Sequence, residues 1–232
     1  MKPLIGIISY RKADAKDTPF LNSTSFSNVV GKRIIDAGGI PVGIHFPDGI
    51  FREDIIKLVD GLVFQGGSFI EMCQVDALEY AYKNSIPTLG ICNGMQTMGG
   101  YDYKTQTNKK TVNELEYLCE TKDHNKINGF HMSDLETVKH KVILDKNSRL
   151  YNIYKKEIIY GASLHNCIIK KEVLDNSKLF KAVGYSEDGV LEAIEAVDKN
   201  KFMFGVQYHI ELEDDHSILF KELINESKKY KK

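Results

Sequence analysis

The chain has 232 residues, 42% of them hydrophobic, with 31 Lys and Arg against 32 Asp and Glu and a formal net charge of −1. Length and hydrophobic share suit one sizeable domain with its own core, and the charge balance excludes a basic face built for nucleic acid or an anionic membrane. No apolar run approaches membrane-spanning length, and Cys73, Cys92, Cys119 and Cys167 lack paired spacing, so a reducing, cytoplasmic setting is expected.

The chain opens on a predicted strand, Leu4–Ser9, rather than on a signal peptide. Phe26–Ala37 reads as an amphipathic helix with Val29, Val30, Ile34 and the Ala37 methyl on one side. A strand at Ile40–Ile44, a helix at Ile50–Val59 and a buried strand at Gly61–Phe64 follow, then a helix at Val75–Lys83, a strand at Thr88–Ile91 and a helix at Asn93–Met98. Tyr101–Asn128 is polar and poorly periodic and is expected to be a surface loop with at most one short helix. Further strands are expected at Val138–Leu144, Glu157–Tyr160, Cys167–Lys170, Lys181–Tyr185, Leu191–Ala196 and Phe202–Tyr208, and a closing helix at His216–Lys229 has Leu219, Phe220, Leu223 and Ile224 inward. The Lys-rich residues 227–232 read as a solvated tail. Strand–helix alternation followed by a strand-rich half predicts an α/β fold. It is one domain over residues 1–232, a central, mostly parallel sheet wrapped by helices with a smaller antiparallel element.

Two segments carry chemistry. In Pro87-Thr-Leu-Gly-Ile-Cys-Asn-Gly-Met-Gln96 an apolar strand ends at a glycine, and Cys92 stands between Gly90 and Gly94 at the start of a helix. This is the thiol counterpart of the Gly-x-Ser-x-Gly nucleophile elbow. The glycines admit close backbone approach, and the positive end of the helix favours a thiolate. In Phe202-Met-Phe-Gly-Val-Gln-Tyr-His-Ile-Glu211 a second apolar strand ends in His209-x-Glu211. Extended residues two apart point the same way, so Glu211 can orient His209 while His209 takes a proton from Cys92, as nucleophile, base and orienter. Glu213 is a second carboxylate on the same face.

These residues resemble a class I glutamine amidotransferase domain, and within that superfamily the γ-glutamyl hydrolase branch, peptidase C26. Pro3-Leu-Ile-Gly-Ile7, Ala37-Gly-Gly-Ile-Pro-Val42, Asp60-Gly-Leu-Val-Phe-Gln-Gly-Gly67 and Asp188-Gly-Val-Leu-Glu-Ala-Ile194 agree in order, so the resemblance covers most of the chain. It implies a flavodoxin-like sheet and hydrolysis of a γ-glutamyl amide, or of glutamine, through a γ-glutamyl thioester. It further implies an oxyanion hole from the backbone N–H groups of Gly67 and Asn93, with Gly66 in the same side-chain-free turn. Gln96 matches a position that holds the glutamyl head. Gly161-Ala-Ser163-Leu-His165-Asn resembles a loop at the substrate's edge, which makes Ser163 and His165 binding candidates. His140 also matches a family position, where a structural role is expected.

Departures from the family are local. Ile210 stands where most relatives have Pro, and Asn93 where the hydrolase branch commonly has Arg. The link from Gly67 to Asp76 is short and carries Phe69 and Glu71, which places both on the leaving-group side as candidates and leaves the amine unassigned. No cofactor is expected, for no phosphate-loop or dinucleotide fingerprint is present. No metal is expected either, with Cys119 and His124 standing alone on a polar loop. The partner is a small γ-glutamyl substrate. Oligomeric state is open, a homodimer included. Alternatives are a glutaminase subunit that supplies ammonia to a synthetase and a non-catalytic binding protein of the same fold.

Overall fold

The computed structural model describes residues 1–11, 23–121, 124 and 131–230. Strand β1 (Leu4–Ile8) leads to the two-residue strands β2 (Tyr10–Arg11) and β3 (Thr24–Ser25), helix α1 (Asn28–Asp36) and β4 (Ile40–Ile44). Next come α2 (Glu53–Ile56), β5 (Gly61–Phe64), α3 (Met72–Lys83), β6 (Thr88–Ile91), α4 (Asn93–Thr107), α5 (Glu114–Tyr117) and β7 (Leu118–Glu120). A 3-10 segment, Met132–Val138, enters β8 (Lys139–Leu144), followed by α6 (Arg149–Tyr154), β9 (Ile158–Ala162), β10 (Cys167–Ile169) and α7 (Lys171–Asp175). Strands β11 (Phe180–Ser186), β12 (Leu191–Ala196) and β13 (Met203–Val206) and helix α8 (Ser217–Tyr230) complete the described chain.

Nine strands form one sheet in the order β4-β1-β5-β6-β13-β12-β11-β8-β9. From β4 to β13 every pairing is parallel, and from β13 to β9 every pairing is antiparallel. The central strands are buried along their whole length because helices cover both faces, which is why they read as continuous apolar runs. Alternation splits their side chains. Leu62 and Phe64 join α3 and α4 on one face through Leu78, Met95 and Met98. Val63, Leu89, Ile91, Phe204 and Val206 join α1 and α8 on the other, through Val30, Ile34, Leu219 and Phe220. This is the expected α/β architecture, with a small separate β10–β7 antiparallel pair.

Several local expectations change. Helix α4 does not stop at Met98 but runs through the anticipated loop to Thr107, and α5 and β7 follow; residues 122, 123 and 125–128 of that segment lie outside the described residues. Gly99 and Gly100 are what misled the reading. A Cβ at Gly99 would lie 2.7 Å from Ile169 Cγ1, and one at Gly100 2.8 Å from the Tyr117 hydroxyl, so the pair admits close packing and does not end the helix. In α1, Val30 and Ile34 are buried but Val29 is exposed. The second helix shrinks to Glu53–Ile56, because Arg52 is extended at its start. The C-terminal tail is helical to Tyr230, with Ser227 buried. Among the described residues no helix is long and apolar enough to cross a membrane.

Candidate active site

Parallel strands β5, β6 and β13 lie side by side, and their C-terminal ends build the site. Strand β6 delivers Cys92, whose N–H donates to Val206 O at 2.7 Å, and α4 begins at the next residue. Cys92 has φ 51° and ψ −106°, a left-handed conformation that side chains other than glycine rarely adopt and that costs about 1–3 kcal/mol. Neighbouring backbone holds it there. A Cβ at Gly90 would lie 2.7 Å from the carbonyl of Gly94, and a Cβ at Gly94 would run into the carbonyl of Phe64. Gly94→Ala should therefore lower Tm by roughly 3–10 °C, as expected for about 1–3 kcal/mol of overpacking in a chain of this size, measured by thermal unfolding followed by circular dichroism.

The turn after β5 closes over the nucleophile. Gln65 is buried and locks it, with Nε2 donating to Ile8 O and Ser25 O at 2.9 Å each and Oε1 accepting from Ser27 N at 2.7 Å. A Cβ at Gly66 would stand 3.0 Å from His209 Cε1 and 3.8 Å from Cys92 Cβ, so only a bare backbone fits between the turn and these two side chains. Gly67 follows, against Tyr10. The N–H of Asn93, at the first position of α4, belongs to the groups that find no acceptor within their own helix.

His209 Nδ1 lies 2.8 Å from Glu211 Oε1. Burial works against charge on this imidazole, but the Glu211 carboxylate and the neighbouring Cys92 sulfur outweigh it and hold the His209 pKa well above its ordinary value. Arg33 Nε donates to the Glu211 carbonyl at 2.8 Å and ties this turn to α1. Glu213 is engaged elsewhere: one oxygen accepts from Ala162 N at 3.1 Å and the other meets Lys139 Nζ at 2.8 Å.

Gln207 was not singled out by sequence reasoning. Its Nε2 lies 3.5 Å from Cys92 Sγ, and its Oε1 accepts from Gln96 Nε2 at 3.3 Å. Its place two residues before His209 in an extended segment was the available signal. Gln96 also donates to Cys167 O at 2.7 Å, so its amide nitrogen is held between β10 and Gln207. Ser163 and His165 gather with His124, His140 and Glu192. His124 therefore does not stand alone. Phe69 is half exposed in a groove with Met72, Val112, Leu115 and Tyr117, and Glu71 precedes α3, its N–H donating to Gln74 Oε1 at 2.9 Å.

The peptidase C26 family model matches residues 71–211, more than half of the chain. The chain belongs to the peptidase C26 family. Both the elbow and His209-x-Glu211 lie inside the matched span. A glutamine amidotransferase-like protein of Rickettsia prowazekii is 27% identical over 84% of this chain and 86% of its own length. CTP synthase of Borreliella afzelii is 27% identical over 69% of this chain but only 33% of its own length. Among solved structures, the glutaminase domain of Trypanosoma brucei CTPS with bound acivicin superposes with a TM-score of 0.69 at 17% identity, covering 98% of this chain and 94% of that one. A GMP synthase subunit from Thermoplasma acidophilum gives 0.65 at 15% identity, over 99% and 96%. This peptidase C26 chain thus has the class I glutamine amidotransferase-like fold.

Proposed function

We propose that the chain is a cysteine hydrolase that cleaves the γ-glutamyl amide bond of glutamine or a γ-glutamyl amine and releases glutamate. The observation that carries this reading is the strained Cys92 elbow set beside the His209–Glu211 pair under a glycine turn. In the reaction Cys92 Sγ adds to the side-chain carbonyl carbon. The resulting oxyanion is received by the N–H groups of Gly67 and Asn93, each worth on the order of 3 kcal/mol in sites of this kind. The C–N bond then breaks as His209 gives its proton to the leaving nitrogen. Water, deprotonated by His209, hydrolyses the thioester and restores the thiolate. Glu211 orients the imidazole, and Gln96, with backbone at Gly66, bounds the glutamyl side. Phe69 and Glu71, on the segment leaving the glycine turn, are assigned to the leaving-group side. The backbone of the edge loop at Ser163 and His165 is assigned to the substrate's edge, while their side chains turn into the histidine cluster.

A second reading, a glutaminase subunit that feeds ammonia to a synthetase, draws support from the names of the CTP synthase and GMP synthase neighbours. Purified protein assayed for glutamate release from glutamine and a panel of γ-glutamyl amines separates the two. Turnover of at least one γ-glutamyl amine by the protein alone is expected. Inertness toward all of them, with glutamine hydrolysis appearing only when a partner is added, would support the second reading. Inertness under every condition would leave the non-catalytic binder.

A further inference from the structure

The second concentration of titratable groups lies in the antiparallel half, on the far side of β13 from β6. His140 comes from β8, Glu192 from β12, His165 from the segment after β9, and His124 packs against both other rings with centroids 4.9 Å away. We propose that His124, His140 and Glu192 form a binding site for a zinc-like divalent transition metal, separate from Cys92, with His165 packed beside Glu192.

Distance and direction argue together. Around Glu192 Oε1 stand His140 Nε2 at 3.1 Å, His165 Nε2 at 3.3 Å and His124 Nδ1 at 3.5 Å. Ligands about 2.05 Å from a tetrahedral zinc are separated from one another by about 3.3 Å. The ligand atoms of His124, His140 and Glu192 all lie within 4.8 Å of one another. A hydrogen-bonded cluster would show the same separations, but its N–H vectors would aim at the oxygen. Among the described residues, both ring nitrogens of His140 and of His165 and both oxygens of Glu192 are buried without a hydrogen bond of good geometry, although His140 and His165 lie close to the carboxylate. In a tetrahedral site each nitrogen points at the ion, about 35° off the line to its fellow ligand, which leaves only a bent contact along that line. Glu192 and His165 are 0% and 2% exposed, so bulk solvent does not reach them.

The surroundings fit a held ion. His124 Nε2 meets Asp188 Oδ2 at 3.0 Å, the carboxylate support that fixes a metal-bound imidazole. His124 Nδ1 also lies 3.1 Å from Ser163 Oγ, a contact that an ion would weaken. A cavity of ≈ 250 Å³ lined by His124, His140, Ser163 and Asp188 gives access. Lys139 and Lys141 also line it, but their ammonium groups are drawn off by Glu136, Glu213 and Glu187. Two imidazoles and one carboxylate select zinc or cobalt over calcium or magnesium, and the cavity leaves a fourth position open. The chain's lack of local ligand spacing is explained too, since the three residues come from three separate segments.

The test uses full-length Cys92→Ala protein, so that the thiol cannot report. After chelator treatment, Co2+ is added and the visible absorption of tetrahedral cobalt is followed, then displaced by Zn2+. Uptake of one equivalent per chain is expected. His124→Ala, His140→Ala and Glu192→Gln should each weaken uptake at least about 100-fold, and Asp188→Asn about 10–100-fold. Absence of saturable uptake by the Cys92→Ala protein, which does not depend on any ligand variant folding, would overturn the proposal. So would an octahedral spectrum, or undiminished binding by folded His124→Ala and His140→Ala.

Discussion

Cys92→Ala should reduce glutamate release by about 10⁴-fold or more, the scale seen when a covalent nucleophile is removed from a preorganised site. The loss should not come from unfolding. Alanine keeps the Cβ, and the flanking contacts at Gly90 and Gly94 are backbone contacts that the substitution does not touch. A companion variant separates chemistry from strain. Cys92→Gly should be equally inactive, yet should melt at a higher temperature than Cys92→Ala, because glycine meets φ 51° without steric cost. Glutamate release by purified Cys92→Ala at the wild-type rate would end the proposed mechanism.

His209→Ala should cost at least about 100-fold in kcat/KM, as removal of a positioned acid–base group does, and Glu211→Gln should cost less. The two also differ in pH dependence. The His209 pKa is held up against burial by Glu211 first and by the Cys92 sulfur second. A group whose pKa is raised on folding lends stability below its unfolded value, about 6.5, and loses it as pH climbs through the folded value. Glutamine at position 211 removes the largest favourable charge and leaves burial in place, so His209 should surrender its proton at lower pH. The alkaline limb of the kcat/KM profile should move down with it. Glu213→Gln should leave that limb where it is, because Glu213 is committed to Lys139 and the Ala162 N–H. Movement of the limb in Glu213→Gln but not in Glu211→Gln would reassign the orienting carboxylate.

Legibility followed locality. Continuous apolar runs such as Gly61–Phe64 and Thr88–Ile91 announced buried parallel strands, since burial on both faces erases alternation. The elbow was legible because nucleophile and glycines are contiguous, and His209-x-Glu211 because extended chain has a period of two. What stayed hidden depends on contacts far apart in sequence. Gln65 braces its turn through Ile8 and Ser25, and Arg33 reaches Glu211 across 178 positions. The helix through Gly99 and Gly100 was missed because composition cannot show the Ile169 and Tyr117 side chains that fill the glycine notches. The histidine cluster left no trace in spacing, for its members share a neighbourhood only once β12, β11, β8 and β9 are lined up in one sheet.

Strand β6 lies between β5 and β13, and 115 positions separate Cys92 from Gln207. On the ribosome, therefore, Cys92 emerges long before Gln207, His209 and Glu211. The β5 and β6 pair can form early, but the edge of β6 that faces β13 waits for residues 203–206, and the thiol has neither base nor amide neighbour until residue 211 is out. Under the proposed mechanism, a growing chain therefore lacks the full Cys92, His209 and Glu211 set until its last central strand has been made.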